Sequence, residues 1–191
     1  MSHIPYPDEN EIDDQTKRIL ESLPPLNIVK MFAGAPAAFK PLTDLGQAVL
    51  LHAELDARLR QVAVLTVARV TGSEYERVQH ENVAELVGLH EDAIKALGAG
   101  ETGPLTESQE LVARYAEDIA LNVGADPALT ARLTDLLGRQ QTMELIVCCA
   151  YYSAVARIIE TCGVKVEDEV PSASFTAADT DPGRWGHLEG N

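Results

Sequence analysis

Apolar residues recur at helical spacing along most of the chain, and each run is bounded by a residue that starts or stops a helix. The clearest run follows Asp56, a helix-capping residue, and continues to Val70, with Gly72 as its stop. Its side chains are apolar almost all round, which is typical of a helix buried on every side. A second run of this kind covers residues 142–161. The pattern therefore predicts two central helices.

The same pattern predicts helices on either side of these two. They cover approximately residues 12–23, 27–32, 36–52, 73–87, 91–97, 106–119 and 126–138. No segment alternates as a strand does, so we expect one all-α domain of roughly eight or nine helices over residues 1–167. Residues 168–191 are acidic, contain two prolines and lack periodicity, which predicts an extended tail.

Charge and composition narrow the classes of function. The formal net charge is -15 and the sequence pI is near 4.6, so the chain does not attract nucleic acid or anionic lipid. No apolar run approaches the ~20 residues of a membrane span, and no signal peptide is visible, which favours a cytoplasmic protein. Cys148, Cys149 and Cys162 lack the spacing of a disulfide framework. The adjacent pair is interpreted as small buried hydrophobes.

Two titratable residues occupy the apolar face of the helix predicted over 73–87. With Glu76 at zero on a helical wheel, Val83 and Val87 fall within about 20° of it and His80 about 40° away. At this spacing the carboxylate and the imidazole can form a hydrogen bond that fixes the imidazole tautomer and raises its basicity. Burial would also raise the pKa of Glu76. The pair is a candidate for general acid–base catalysis.

Two other interpretations of these residues stay open. Ser73 and Glu76 fit a capping box, in which Glu76 closes the helix start and His80 is a satisfied core histidine. Alternatively, the pair could be two ligands of a metal ion, although spacing supplies no third ligand. We therefore expect no metal.

The stretch 59–97 resembles the core motif of the carboxymuconolactone decarboxylase / AhpD-like family. Residues 72–76 (Gly-Ser-Glu-Tyr-Glu), followed by His80, are similar to its G-C/S-x-Y-E…H signature. Residues 144–163 are similar to the second half of such proteins, so the resemblance covers roughly residues 36 to 167. It implies an AhpD-like helical bundle with its core motif at 56–97, and a homo-oligomer such as a trimer, hexamer or dimer.

The resemblance also implies two possible chemistries. The AhpD-type hydroperoxidases use a Cys-x-x-Cys pair, whose positions here are Ser73 and Glu76, and an upstream Glu, whose position is Gln61. A thiolate is the nucleophile toward peroxide, and neither thiol is present. The decarboxylase branch has the same Glu-x-x-x-His spacing as Glu76 and His80. In that branch Ser73 or Tyr75 would hydrogen-bond the substrate, and Gln61 is a further candidate for substrate binding.

Two arginines in apolar helices, Arg69 and Arg157, are candidates for holding a substrate carboxylate. The alternative is a structural ion pair with a buried acid such as Glu144.

These observations favour a cofactor-independent lyase or isomerase that acts on a small cyclic substrate, with or without a carboxylate. One alternative is an AhpD-type alkylhydroperoxidase, which peroxide turnover with a thiol reductant would reveal. Another is a non-catalytic binding oligomer, in which His80→Ala would change no activity or ligand affinity.

Overall fold

The computed structural model describes residues 2–8 and 10–168. Its elements are α1 (Asp14–Ser22), α2 (Asn27–Phe32), α3 (Pro36–Gln47), a π-helical turn (Ala48–His52), α4 (Ala57–Thr71), α5 (Glu74–Leu86), α6 (Glu91–Ala99), α7 (Glu107–Leu121) and α8 (Pro127–Cys162). No strand occurs among the described residues, which confirms the all-α prediction. The tail predicted from residue 168 onward lies outside them, apart from its first residue.

Local capping explains why the helices begin where the sequence predicts. Asp13, Asp56 and Asp126 each accept hydrogen bonds from two backbone N–H groups in the first turn of the helix that follows. Thr106 and Gln109 form the reciprocal bonds of a capping box at the start of α7. Each cap supplies partners for N–H groups that the helix itself leaves unpaired.

Helix α4 is the centre of the fold, as its apolar sequence predicts. From Ala57 to Ala68 every residue except Arg58 is buried. Helices α5, α6, α7 and α8 all pack against it. The hydrophobic core has two clusters. The first surrounds α4 and includes side chains of α6, α7 and α8. The second joins α1–α3 to Tyr75 and to the end of α8.

Helix α8 contains both helices predicted over 126–161, separated by a break at Gly138. The φ and ψ angles there are 76° and 168°, a region that side chains with a Cβ avoid. By length and composition α8 could cross a membrane, a test that the core helix of a soluble protein also passes. The helix packs against α4 and α7, and 39% of its most apolar 18-residue window is buried.

Candidate active site

A cavity of about 300 Å³ lies between the two hydrophobic clusters. Its walls come from the end of α1 and the connection to α2, from α2, α3 and the π-helical turn, and from α5 and α8. The turn contributes Leu50 and Leu51. Short π-helical segments are frequent at functional sites, because the wider turn redirects side chains.

One face of α5 supplies a group of buried polar side chains to the cavity, which Ser22, Thr43 and Gln47 also line. Glu76, Gln79 and His80 are all buried and all line it, together with Tyr75. Ser73 begins the helix but its side chain makes no capping bond. The capping-box interpretation of Ser73 and Glu76 is therefore wrong, and α5 begins without it.

His80 is oriented by Gln61 on the neighbouring helix α4. The imidazole Nδ1 lies 2.8 Å from Gln61 Oε1. A carboxamide oxygen only accepts, so Nδ1 carries the proton and donates it. Nε2 is then the unprotonated nitrogen, and the ring packs edge-on against Tyr152 with centroids 4.8 Å apart. Gln61 does not itself line the cavity.

Glu76 lies opposite this unprotonated nitrogen without touching it. His80 Nε2 and Glu76 Oε2 are 3.9 Å apart, which is too far for a hydrogen bond. Oε2 is buried and has no hydrogen-bond partner among the described residues. The direct bond that the sequence suggested is therefore not formed, and Gln61 rather than Glu76 sets the tautomer of His80.

Burial makes both groups uncharged near neutral pH. It raises the pKa of Glu76 from 4.5 to about 8, because the carboxylate loses its hydration. Burial also lowers the pKa of His80 from 6.5 to about 3, with a further contribution from the positive charge of Arg60. The rise in the Glu76 pKa agrees with the sequence prediction, whereas the basicity of His80 is lowered rather than raised.

The C-terminal end of the described chain braces the cavity wall through Glu167. Its Oε1 accepts hydrogen bonds from Tyr75 Oη at 2.7 Å and from the backbone N–H of Asn27 at 2.5 Å. Its Oε2 accepts one from Gln79 Nε2 at 2.5 Å. Tyr75 and Gln79 line the cavity, so one carboxylate holds two of its polar side chains and the start of α2.

The side chain of Tyr151 reaches from α8 to α3 on another side of the cavity. Tyr151 on α8 donates a hydrogen bond from its Oη to the carbonyl oxygen of Leu42 at 3.2 Å. A Cβ at Gly46 would lie 2.6 Å from that Oη, so only glycine fits beneath the ring. Burial also raises the Tyr151 pKa to about 12, with a contribution from Glu76.

A known structure has the same architecture. A protein of Ralstonia eutropha JMP134, described as an alkylhydroperoxidase AhpD core and as an uncharacterized peroxidase-related protein, superimposes with a TM-score of 0.74. The superposition covers 87% of this chain and 93% of that one, at 15% sequence identity. This chain has an AhpD-like fold. No family model and no curated protein matches its sequence.

In this AhpD-like fold the cysteines are not positioned for redox chemistry at the cavity. Cys148 and Cys149 are fully buried, as predicted, and neither lines the cavity. Burial raises the pKa of Cys148 to about 12, so its thiol stays protonated near neutral pH. None of the three cysteines forms a disulfide.

Four residues predicted to contact a substrate lie outside the cavity of the AhpD-like fold, Gln61 among them. Arg69 forms an ion pair with Glu117 at 3.3 Å, and Arg157 is exposed and donates to the carbonyl oxygen of Ser153. The alternative of a structural ion pair therefore holds for Arg69, with Glu117 in place of Glu144, whose carboxylate accepts from the Leu55 N–H and from Gln140 instead. Ser73 is buried, and its Oγ has no hydrogen-bond partner among the described residues.

A metal site at Glu76 and His80 would need at least one further ligand. Over residues 2–8 and 10–168, no three His, Cys, Asp or Glu side chains form a group that could hold a metal ion.

Three residues of the site were not predicted from the sequence. Gln79 was detectable, because it falls about 60° from Glu76 on the same apolar side of the wheel. Gly46 was also detectable, since a glycine inside a helix often marks a close approach. Glu167 lies in a segment without periodicity, so nothing in the sequence pointed to it.

Proposed function

We propose that this protein is an enzyme that moves a proton within a small substrate, as an isomerase or a lyase does, with Glu76 as the acid and His80 as the base. One observation carries the proposal. A protonated carboxylic acid and the unprotonated nitrogen of an imidazole face the same cavity, 3.9 Å apart. The gap is too long for a bond between them, and a substrate can interact with both.

The reaction step that fits this pair is enolisation of a carbonyl compound. His80 Nε2 takes a proton from the carbon next to the carbonyl, and the electrons of that C–H bond form the C=C bond of an enol. Glu76 gives its proton to the carbonyl oxygen. Where a C=C bond adjoins the carbon that loses the proton, the enol is a dienol. Return of the proton from His80 to the far carbon of that dienol, with Glu76 regaining its own from the oxygen, shifts the C=C bond, gives an isomer and restores both residues.

Electrostatics support this coupled step. The pair is neutral before the transfer and is an imidazolium beside a carboxylate afterwards. Two opposite charges about 4 Å apart in a buried site attract each other strongly, which recovers part of the free energy lost with their hydration. His80 alone is a weak base, so its proton abstraction depends on Glu76 losing a proton to the substrate.

Hydrogen–deuterium exchange tests the proposal directly. 2-Tetralone, a cyclic ketone, would be incubated with the protein in D₂O, and loss of its α-hydrogen signals followed by NMR. We expect His80→Gln and Glu76→Gln each to slow the enzyme-dependent exchange by about 10²- to 10⁴-fold, the usual contribution of acid–base catalysis. His90→Gln, an exposed histidine, is the control. Equal rates for wild type and His80→Gln would contradict the proposal.

A peroxidase is the alternative that the Ralstonia protein's description suggests. It would require a reactive thiol, and Cys148 is a buried thiol within electrostatic reach of Glu76. Turnover of cumene hydroperoxide with dithiothreitol, abolished by Cys148→Ser, would favour this alternative. We expect no such turnover, because burial keeps the thiol protonated.

A further inference from the structure

The wall of the cavity is apolar over most of its area. Leucines, with Ile28, Val29, Phe32 and Val155, cover the sides formed by α1, α2, the π-helical turn and α8. The polar groups of α5 gather along one side, where Glu76 and His80 lie. A ligand that fits this distribution is itself apolar and carries a polar atom on one side.

The charges around the cavity disfavour an anion. No lysine or arginine is among the described side chains that line it, and the acidic side chain that does is Glu76. Arg60 acts on His80 through its charge, but it is buried and is not part of the lining. A carboxylate bound here would lose its hydration without gaining a cationic partner in the wall, which is costly.

The volume of the cavity limits the size of the ligand. A cavity of ~150 Å³ with apolar walls accommodates one benzene molecule. This cavity has a volume of about 300 Å³, roughly twice that of the cavity that holds benzene, so it has room for a fused bicyclic molecule.

We propose that the cavity binds an uncharged, mainly apolar molecule of bicyclic size whose carbonyl oxygen faces Glu76 and whose adjacent carbon faces His80. This inference rests on the proposed function for the role of that oxygen. It replaces the carboxylated substrate that the sequence allowed, because the two arginines expected to hold a carboxylate lie elsewhere. Ketones and lactones are the classes of ligand that meet these conditions.

The test compares two molecules of nearly equal shape and different charge. Binding of 2-acetylnaphthalene and of 2-naphthoate would be measured by isothermal titration calorimetry at pH 7. We expect the ketone to bind at least about tenfold more tightly than the carboxylate, a difference of about 1.4 kcal/mol. Equal or tighter binding of 2-naphthoate, or no binding of the ketone, would overturn the inference.

Matched valine-to-tryptophan variants show whether the ketone binds in this cavity. Val29→Trp fills the cavity, whereas Val147 is on the exposed side of α8 and lines no part of it. We expect Val29→Trp to weaken ketone binding by about tenfold or more and Val147→Trp to leave it unchanged. Leu50→Trp, which fills the cavity from the π-helical turn, serves if Val29→Trp fails to fold. Equal affinities for the filled and unfilled variants would place the ligand elsewhere and overturn the inference.

A separate variant distinguishes this inference from the proposed function. Glu76→Gln keeps a hydrogen-bond donor for the ketone oxygen but has no proton to give. We expect it to bind 2-acetylnaphthalene within about threefold of wild type. If both proteins bind the ketone and neither exchanges deuterium into 2-tetralone, the proposed function fails and the ligand class stands. If 2-naphthoate binds more tightly, the ligand class fails whatever the exchange shows.

Discussion

Tyr75 and Glu167, which are 92 positions apart in the chain, are joined by a hydrogen bond of 2.7 Å from the phenol to the carboxylate. The same carboxylate accepts bonds from Gln79 and from the backbone of Asn27. It therefore ties the end of the described chain to the polar side of the cavity and to the start of α2.

Loss of this carboxylate should loosen the cavity wall. In wild type the two carboxylate oxygens of Glu167 accept three hydrogen bonds. Glu167→Gln leaves only one oxygen to accept them, and its new N–H group faces groups that are themselves donors. We expect the free energy of unfolding to fall by about 1–3 kcal/mol, measured by urea denaturation. Glu85→Gln, on the exposed face of α5, is the control and should change it by less than about 0.5 kcal/mol. Equal effects of the two substitutions would show that Glu167 does not brace the wall.

Glu76 should make the protein less stable as the pH rises. In the folded protein its pKa is about 8, against 4.5 ordinarily, so between these values the folded state holds a proton that the unfolded chain has lost. The free energy of unfolding then falls by up to about 1.4 kcal/mol per pH unit. His80 has a lowered pKa and acts in the opposite direction below pH 6.5, so the range from pH 6.5 to 8 isolates Glu76.

The measurement for this prediction is a series of urea denaturation curves across that range. We expect the decline in wild type and its loss in Glu76→Gln, whose side chain does not ionise. Glu85→Gln should retain the decline. Parallel curves for wild type and Glu76→Gln would mean that Glu76 is ionised in the folded protein.

Gln61 should control the protonation of His80. A carboxylate in Gln61→Glu would accept the same bond from Nδ1–H and would also stabilise the imidazolium, so the His80 pKa should rise. Gln61→Leu removes the acceptor, so the preference for the Nδ1–H tautomer should weaken. Imidazole ¹⁵N chemical shifts report both changes, with the exposed His90 as an internal reference. Unchanged His80 shifts in both variants would contradict the role of Gln61.

Gly46→Ala should displace Tyr151 from its place between α3 and α8. The new methyl group would lie 2.6 Å from the phenol oxygen, which overpacks the contact. We expect a destabilisation of about 1–3 kcal/mol by thermal unfolding. The double variant with Tyr151→Phe removes the oxygen and should recover part of that loss. Additive effects of the two substitutions would mean that the clash is relieved in another way.

The helices were predictable from the sequence because their limits are local. Asp56 and Asp126 cap the helices that follow them, and Gly138 breaks α8 where the pattern ended. The inward placement of Glu76 and His80 also followed from the wheel, since a helix fixes which side chains share a face.

The partners of the site residues were not predictable, because they come from distant parts of the chain. Gln61 reaches His80 from α4, and Glu167 reaches Tyr75 from beyond α8. The surroundings of the arginines were not predictable for the same reason. Arg69 sits in an apolar sequence, yet it is partly exposed beside Glu117 on α7, which the sequence of α4 alone does not reveal.

The π-helical turn at Ala48–His52 contributes to the shape of the cavity through Leu50 and Leu51, whereas the titratable side chains of the cavity come from α5. Deleting one residue within the turn would rotate the residues before the deletion by about 100° relative to the residues after it. Other side chains would then replace Leu50 and Leu51 in the cavity wall. Glu76 and His80 would stay in place, because α5 carries them. Gaining or losing a single residue before α4 would therefore change which molecules the cavity admits, while the two titratable side chains in its wall stay the same.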